Sequence, residues 1–493
     1  MATGPSIFIL RGALTVDILH PEGDLTLGPR KRNEYCGVAG LYGNVSVSRT
    51  LYFSLRALQH RGQESAGIAV YDNRIKLVRG MGLVHQVFNE SNLEYLLGRI
   101  GIGHVRYSTM GGSVEENAQP IYLHTQAHEI AVAHNGEIVN IDDLYRFLGS
   151  IGSAFSTHSD SEVIARVIAY EVSRRGVVEG LKEAMRRLRG SYSLAVLIDN
   201  RLFAIRDPFG IRPLVLGMTD SAYGFASESV AFDALGGRII RDVEPGEIVE
   251  ISSEGFITHH TFKKKRKAHC MFEYVYFARA DSIIDGRFVY DVRRKIGRNL
   301  AKESPVEADF VVPVPDSGRA HAIGYSEESG IPYAEGLMKN RYVERTFILP
   351  TQESRVKEIT MKLNPVRSVI DGNRIVLIDD SIVRGNTMRK IVRMLREAGA
   401  KEVHVRIGSP PIVAPCYLGI DMKTREQFIA NGKTVQEIAK DIGADSLAYV
   451  SIEGLVDAIG IPKNDLCLGC ITGEYPVKIE GEKIRYQCDL EDF

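Results

Sequence analysis

From Cys36 to about Thr261, short apolar runs such as Ile130-Ala131-Val132-Ala133 and Leu194-Ala195-Val196-Leu197-Ile198 alternate with glycine-rich turns and a few amphipathic stretches. This texture predicts one α+β unit. The basic run Lys263-Lys264-Lys265-Arg266-Lys267 interrupts it and is read as a solvated connector, with a nuclear address or a phosphate patch as alternatives. Beyond it the pattern changes. Phe310-Val311-Val312-Pro313-Val314 and Arg374-Ile375-Val376-Leu377-Ile378 read as fully buried strands, each ending in a polar turn and followed by a helical period. That arrangement predicts a doubly wound α/β domain built on a parallel sheet. The clearest helix follows Thr387: Met388, Ile391, Val392 and Leu395 share one face, and Gly399 stands near its stop. Residues 1–35 show neither period and are punctuated by Pro5, His20-Pro21, Gly23 and Gly28-Pro29, which predicts a leader. The expected division is a leader at 1–35, a first domain at 36–262 and a second at 263–493.

Composition narrows the function classes. A chain of 493 residues exceeds one ordinary core. With 44% hydrophobic and 25% charged residues, a formal net charge of -1 and no long block of one sign, neither a nucleic-acid nor a membrane partner is expected. No run approaches the roughly 20 apolar residues of a spanning helix. The apolar start Ser6-Ile7-Phe8-Ile9-Leu10 is broken by Arg11, too early for a secretory segment, so a cytoplasmic location is expected. Six scattered cysteines do not make a disulfide scaffold, which leaves reduced thiols acting as nucleophile or metal ligands.

Cys36 opens the small-residue strand Cys36-Gly37-Val38-Ala39-Gly40. By itself a cysteine among apolar neighbours is more often core than nucleophile. Its downstream company changes the weighting: Arg56-Ala57-Leu58-Gln59-His60-Arg61-Gly62-Gln63-Glu64-Ser65-Ala66-Gly67, Gly103-His104-Val105-Arg106, His134-Asn135-Gly136 and Ser159-Asp160-Ser161-Glu162. If the Tyr35-Cys36 bond is cut, the new α-amine, with a pKa of roughly 7.7 to 8.0, can accept the thiol proton without a histidine. Glutamine hydrolysis then needs a cation for the substrate carboxylate, an acid for its ammonium group and donors for the oxyanion. Arg106, Asp160, and Asn135 with the Gly136 N–H are of the required types. Each also has an ordinary reading: a surface ion pair, a helix N-cap and a hairpin turn, respectively. Together the motifs resemble, in order and over about 225 residues, the N-terminal-nucleophile glutamine amidotransferase domain. The resemblance implies an αββα sandwich, with Cys36 as nucleophile, Arg106 and Asp160 as glutamine clamps, and Asn135 and Gly136 as oxyanion hole.

The acceptor half carries Arg374-Ile375-Val376-Leu377-Ile378-Asp379-Asp380-Ser381-Ile382-Val383-Arg384-Gly385-Asn386-Thr387. An apolar strand delivers two adjacent carboxylates, and the turn after them enters a helix whose first N–H groups favour phosphate. Simple capping by the aspartates is the alternative. The string resembles the phosphoribosyl diphosphate (PRPP) motif of type I phosphoribosyltransferases. That implies Asp379 and Asp380 on the ribose hydroxyls and Mg²⁺, and Ser381, Val383, Arg384, Gly385, Asn386 and Thr387 around the 5-phosphate. Val314-Pro315-Asp316-Ser317-Gly318 is a tight turn where Ser317 suits Mg²⁺-diphosphate, an unliganded β-turn being the alternative. Lys339-Asn340-Arg341-Tyr342-Val343-Glu344-Arg345-Thr346-Phe347 has the composition of a loop that closes over the diphosphate with Lys339, Arg341 and Arg345, or of a plain solvated loop.

Cys467-Leu468-Gly469-Cys470 has ligand spacing, and Cys270 and Cys416 lie upstream, with Cys488 outside the set. Redox activity, zinc and unliganded core thiols all fit the pair alone. Two further matches fail: Gly432-Lys433-Thr434 lacks the glycine a phosphate-binding loop requires at 427, which is Gln, and Gly101-Ile102-Gly103 is followed by Arg106 in place of the third glycine of a dinucleotide fingerprint.

With both halves present, the chain from 36 to about 476 resembles the amidophosphoribosyltransferases. The resemblance implies conversion of glutamine, water and PRPP to 5-phosphoribosylamine, glutamate and diphosphate, at the start of purine synthesis. It further implies internal passage of ammonia, feedback by purine nucleotides and assembly as a homo-oligomer, typically a tetramer. Cys270, Cys416, Cys467 and Cys470 match the family's iron–sulfur subclass, which implies a structural [4Fe–4S] cluster. Glu344 departs from the glycine expected in the family's loop. A non-catalytic PRPP- or nucleotide-sensing regulator of the same fold is the rival reading, opposed by the intact Cys36, Arg106, Asn135 and Asp160 set. A sugar-phosphate amidotransferase would need an isomerase domain in place of Asp379-Asp380.

Overall fold

The computed structural model describes residues 35–107, 114–157, 159–262, 266–340, 363–420, 422 and 424–479. The leader expected up to residue 35 therefore falls outside the described residues except for Tyr35, as do Lys263 to Lys265, Arg341, Glu344, Arg345 and Cys488. All described residues belong to one compact unit.

Two antiparallel sheets fill the first half. One runs in the order Arg238–Asp242, Val215–Met218, Ala222–Ala226, Tyr35–Gly43, Ile100–Tyr107, Ser65–Asp72, Arg74–Met81. The other runs Gly255–Thr261, Glu247–Ser252, Arg201–Arg206, Gly190–Ile198, Glu129–Ile138, Ile121–His124. Alternation along each strand sends one set of side chains between the sheets, where Val38, Ala69 and Ile102 meet Ala131, Ala133, Ala195 and Leu197. The opposite set faces helices. Leu41, Ile68 and Val105 pack on Leu51 and Leu55 of the helix Ser48–Ala57. On the second sheet, Ile130, Val132 and Leu194 pack on Ile164, Ile168 and Leu181 of the helices Asp160–Arg175 and Val177–Arg187. The result is the four-layer αββα sandwich. The small residues of the Cys36 strand have a packing reason, since a Cβ on Gly40 would lie 2.4 Å from the Phe225 ring.

The second half is built on four parallel strands in the order Phe310–Pro313, Arg374–Asp379, Glu402–Ile407, Ser446–Tyr449. Val311, Val376 and Ile378 face the helices Val289–Glu303 and Arg319–Ser329. Ile375, Leu377, Val403 and Val405 face Asn386–Glu397 and Val435–Ile442. Helices thus cover both faces, as a sheet of continuous apolar strands requires. Met388, Ile391, Val392 and Leu395 are the buried residues of Asn386–Glu397, and Gly399 beyond it takes φ +101°, so the apolar period located this helix correctly. The rejected Gly432-Lys433-Thr434 string has a structural role: Thr434 and Glu437 form a capping box at the start of Val435–Ile442. No described helix is long and apolar enough to cross a membrane.

Candidate active sites

Cys36 is buried near the start of the strand Tyr35–Gly43, and its antiparallel partner is Arg106. Val38, two residues on, lies between the sheets, so Cys36 and Arg106 face the same interior. His104, two residues before Arg106, bridges the sheets by donating from Nε2 to the His134 carbonyl at 3.2 Å. Asn135 and Gly136 come next on the facing strand Glu129–Ile138. They are not a hairpin turn: Asn135 and Gly136 pair with Ser193 and Tyr192 in mid-ladder. Gly136 has φ +149°, and a Cβ there would lie 2.1 Å from the Ser191 carbonyl oxygen, so glycine is required. The buried Asn135 Nδ2 has no hydrogen-bond partner among the described residues. A buried amide donor costs free energy unless something accepts from it.

Asp160 is the first residue of Asp160–Arg175, while the cap is Ser159, whose hydroxyl accepts from the Ser161 amide. Asp160 instead turns toward the glycine strand: its Oδ2 accepts from the Ile138 amide at 3.3 Å and lies 3.7 Å from His134 Nδ1. Arg106 is buried in its strand, so it is not a surface ion pair. Cys36 and Arg106 are thus partners on one sheet, Asn135, Gly136 and Asp160 lie together on the facing side, and the hydrogen bond of His104 to the His134 carbonyl joins the two groups.

The second site sits at the carboxyl ends of the parallel strands, where open α/β sheets present ligand crevices. Asp379 ends its strand and Asp380 begins the loop. Burial, and then the neighbouring Asp380 charge, hold the Asp379 carboxyl well above the usual range. Burial also raises Asp380, opposed by hydrogen bonds from Ser317 and Ser381 and by the Arg293 charge. Two desolvated adjacent carboxylates favour a cation or a polyol partner. Ser317 therefore meets Asp380 directly, and Lys339 Nζ reaches Asp316 in the same turn at 2.7 Å. Gly385 takes φ +74° at the start of Asn386–Glu397 and supplies no side-chain cap, which leaves the first amides open to a phosphate. Val383 is fixed by its carbonyl accepting from Ile429 N at 2.9 Å, and Arg384, Asn386 and Thr387 are exposed beside the turn. Arg341 and Arg345 lie outside the described residues.

Comparison with known proteins agrees with these two halves. The family model described as a glutamine amidotransferase domain matches residues 104–234, and that described as a phosphoribosyl transferase domain matches 282–407. The amidophosphoribosyltransferase of Archaeoglobus fulgidus is 52% identical over 453 residues, covering 91% of this chain and 99% of the relative. That of Bacillus subtilis is 46% identical over 456 residues, covering 91% and 95%. The chain belongs to the amidophosphoribosyltransferase family. A solved structure of the B. subtilis glutamine PRPP amidotransferase, complexed with ADP and GMP, has a TM-score of 0.85 at 44% identity and covers 91% of this chain and 98% of its own.

In this member of the amidophosphoribosyltransferase family, the Cys467 and Cys470 pair singled out by spacing lies close to Cys270 and to the segment of Cys416, the two cysteines that the resemblance added. Cys270 and Cys467 are register partners in a short parallel pair, and Cys470 follows in the turn Gly469–Thr472. The Cys470 carbonyl accepts from Val413 N at 3.0 Å and Ala414 N at 3.1 Å, which draws in the segment carrying Cys416. Each thiol is pushed up by burial, Cys416 to about 11, and each of Cys416, Cys467 and Cys470 feels the charge of other members of the set. Among the described residues no three His, Cys, Asp or Glu side chains form a group able to hold a single metal ion.

Sequence reasoning quoted Arg61 but gave it no role, and it missed Glu228, Glu273, Arg212 and Arg293. All five are buried. Arg61 donates from Nε to the Cys36 carbonyl at 3.0 Å and pairs with Glu228 and Glu273. Burial would lower the Arg61 pKa, but the two glutamates outweigh it and raise it. Only the arginine within a motif string hinted at this network, in which Arg61 and its partner Glu273 lie 212 positions apart.

Proposed function

We propose that this chain makes 5-phosphoribosylamine from PRPP, glutamine and water, releasing glutamate and diphosphate, as the first committed step of purine biosynthesis in the cytoplasm. One observation carries the reading: within one compact unit, a buried cysteine pairs in register with Arg106, the buried Asn135 Nδ2 has no partner among the described residues, and a parallel strand ends in the desolvated Asp379-Asp380 pair. Residues 36–262 form the glutaminase half and 263–493 the phosphoribosyltransferase half. Removal of residues 1–35 frees the Cys36 amine. That amine takes the thiol proton, and the thiolate attacks the glutamine side-chain carbonyl. Arg106 holds the substrate carboxylate and Asp160 its ammonium group, while Asn135 Nδ2 and the Gly136 N–H take the oxyanion. The amine returns its proton as ammonia leaves, and water then releases glutamate from the thioester.

Ammonia passes internally to the second site, where it attacks C1 of the ribose as diphosphate departs, and the new amine sheds a proton. Asp379 and Asp380 hold the ribose hydroxyls, Ser381 to Thr387 the 5-phosphate, and Lys339, Arg341, Arg345 and Ser317 the diphosphate end. Asp379, Asp380 and Ser317 offer the oxygen donors that would hold Mg²⁺, and that ion would offset charge on the diphosphate. The register of Cys270 with Cys467 and the hold of the Cys470 carbonyl on Val413 and Ala414 support a [4Fe–4S] cluster, which would bind Cys270, Cys416, Cys467 and Cys470 as thiolates and pin the end of the chain to the start of the second half. Purine nucleotides as regulators and a homotetramer complete the reading.

The deciding test combines intact mass with turnover of labelled glutamine. Active protein beginning at Cys36, and a Cys36→Ala variant that loses glutamine-dependent synthesis but keeps ammonia-dependent synthesis, are expected. A folded Cys36→Ala protein lacking both activities would show that the division of labour is wrong.

A further inference from the structure

The strand Glu129–Ile138 outruns its neighbour Ile121–His124, and side chains replace the missing ladder. The two pair from His124 opposite Glu129 to Ile121 opposite Val132. Continued two residues, that register would set the Gln119 backbone opposite His134. The backbone turns away instead: the Gln119 carbonyl oxygen packs on the strand Ser65–Asp72 of the opposite sheet, where a Cβ on Gly67 would lie 2.1 Å from it. The buried Gln119 side chain takes its place, its Oε1 accepting from His134 N at 2.7 Å. On the same edge the His134 carbonyl accepts from His104 Nε2 at 3.2 Å, and the Ile138 amide donates to Asp160 Oδ2 at 3.3 Å.

The amides of Glu137 and Val139 turn the other way, to Ser191 Oγ at 3.1 Å and the Arg189 carbonyl at 2.8 Å. Strand residues alternate, so the N–H groups of His134, Gly136 and Ile138 share the edge beyond Ile121–His124. Side chains from Gln119 and Asp160 take the outer two, and the Gly136 N–H lies between them. A further backbone strand on this edge would pair with Gly136 as well, whereas one glutamine oxygen meets His134 alone. Arg79, on the strand Arg74–Met81, fixes the place of Gln119: its Nη1 donates to the carbonyls on either side, Ala118 at 2.6 Å and Pro120 at 3.1 Å.

We propose that Gln119 is a positioning residue, held by Arg79, that fixes His134 and so sets Asn135 Nδ2 and the Gly136 N–H where an oxyanion forms. Without its bond the buried His134 N–H loses its acceptor, and the end of the strand is free to shift. A displacement of about 1 Å is enough to weaken donors that act on a transition state. This rests on the reading of Asn135 and Gly136 as the oxyanion donors.

The test uses the full active enzyme with Gln119→Met, which keeps length and removes the acceptor, and Arg79→Met, which releases the two flanking carbonyls. Glutamate release is followed over a range of glutamine, ammonia-dependent synthesis is measured in parallel, and thermal melts check folding. Gln119→Met is expected to lower kcat for glutamine roughly 10- to 100-fold, with KM within about twofold and ammonia-dependent synthesis unchanged. Arg79→Met is expected to lower the same kcat by about threefold or more, so it carries the test if Gln119→Met does not fold. Combined with Asn135→Ala, the loss from Gln119→Met is expected to fall well short of the product of the two, because the donor it places is gone. An unchanged kcat, a rise in KM at constant kcat, an equal loss of ammonia-dependent synthesis or a fully multiplicative double variant overturns the proposal. An Asn135→Ala enzyme that keeps its kcat overturns instead the oxyanion reading beneath it.

Discussion

Cys36 and Arg106 face each other as register partners on adjacent antiparallel strands, so the sulfur and the guanidinium are fixed by one ladder. Ser65 flanks Arg106 on the other side, and the Glu64 amide donates to its carbonyl at 2.8 Å. A rigid, buried cation beside the proposed nucleophile Cys36 is suited to hold a substrate carboxylate in reach of its sulfur. Arg106→Gln is therefore expected to cost about 3 kcal/mol of glutamine binding, on the order of a hundredfold in KM. Ammonia-dependent synthesis should be unchanged, and a matching loss there would reassign Arg106 to the fold.

Asn135 predicts a different kinetic signature. Its buried Nδ2 lacks a partner among the described residues, while the neighbouring Gly136 backbone is held by the ladder to Tyr192. A donor aimed at a developing oxyanion acts in the transition state and little in the ground state. Asn135→Ala is expected to lower glutaminase kcat by roughly 100- to 1,000-fold with little change in KM. A rise in KM at constant kcat would make Asn135 a substrate clamp instead.

These two residues also mark where the sequence was readable. The Asn386–Glu397 helix and the buried strands announced themselves because period and burial are local properties of the string. Asn135-Gly136 was found through its motif, but its conformation was not readable, because the dipeptide has turn chemistry and only the distant strand Gly190–Ile198 holds it extended. Asp160 taken by itself has the chemistry of a cap, yet Ser159 performs that task and the Asp160 carboxylate turns to the Ile138 amide. Glu273 and Arg293 were silent for a related reason. Their partners Arg61, Glu228 and Asp380 lie on other elements, and no spacing rule connects them.

The register of Cys270 with Cys467 makes the metal prediction specific. Anaerobically purified protein is expected to contain about four iron and four sulfide per chain, and Cys467→Ser is expected to lose them. Because the Cys470 carbonyl also anchors Val413 and Ala414, removal of the cluster should lower the melting temperature and expose the 413–422 stretch to protease. Zinc in place of iron in the elemental analysis would overturn the assignment.

Stability against acid follows from two buried histidines. Burial lowers His104 to about 3, the His134 carbonyl that accepts from its Nε2 opposing and Arg106 and His134 adding to the shift. Burial, with the Arg293 charge, likewise lowers His321 to about 3, although its Nδ1 donates to the Ser317 carbonyl at 3.3 Å. Between their ordinary value near 6.5 and about 3, the unfolded chain binds these protons and the folded one does not. Stability is therefore full above about 6.5 and falls as pH drops, by about 1.4 kcal/mol per unit for each histidine. Asp207 runs the other way: burial raises it to about 6 against Arg206 and three backbone amides, so the folded state takes up its proton first and gains stability as pH falls through that value. His104→Gln with His321→Asn, which keeps a donor at each position, is expected to flatten the loss of denaturation midpoint between pH 7 and pH 5, at roughly the per-proton slope given above. Asp207→Asn is expected to steepen it. Unchanged slopes in both variants would mean that other groups govern acid unfolding.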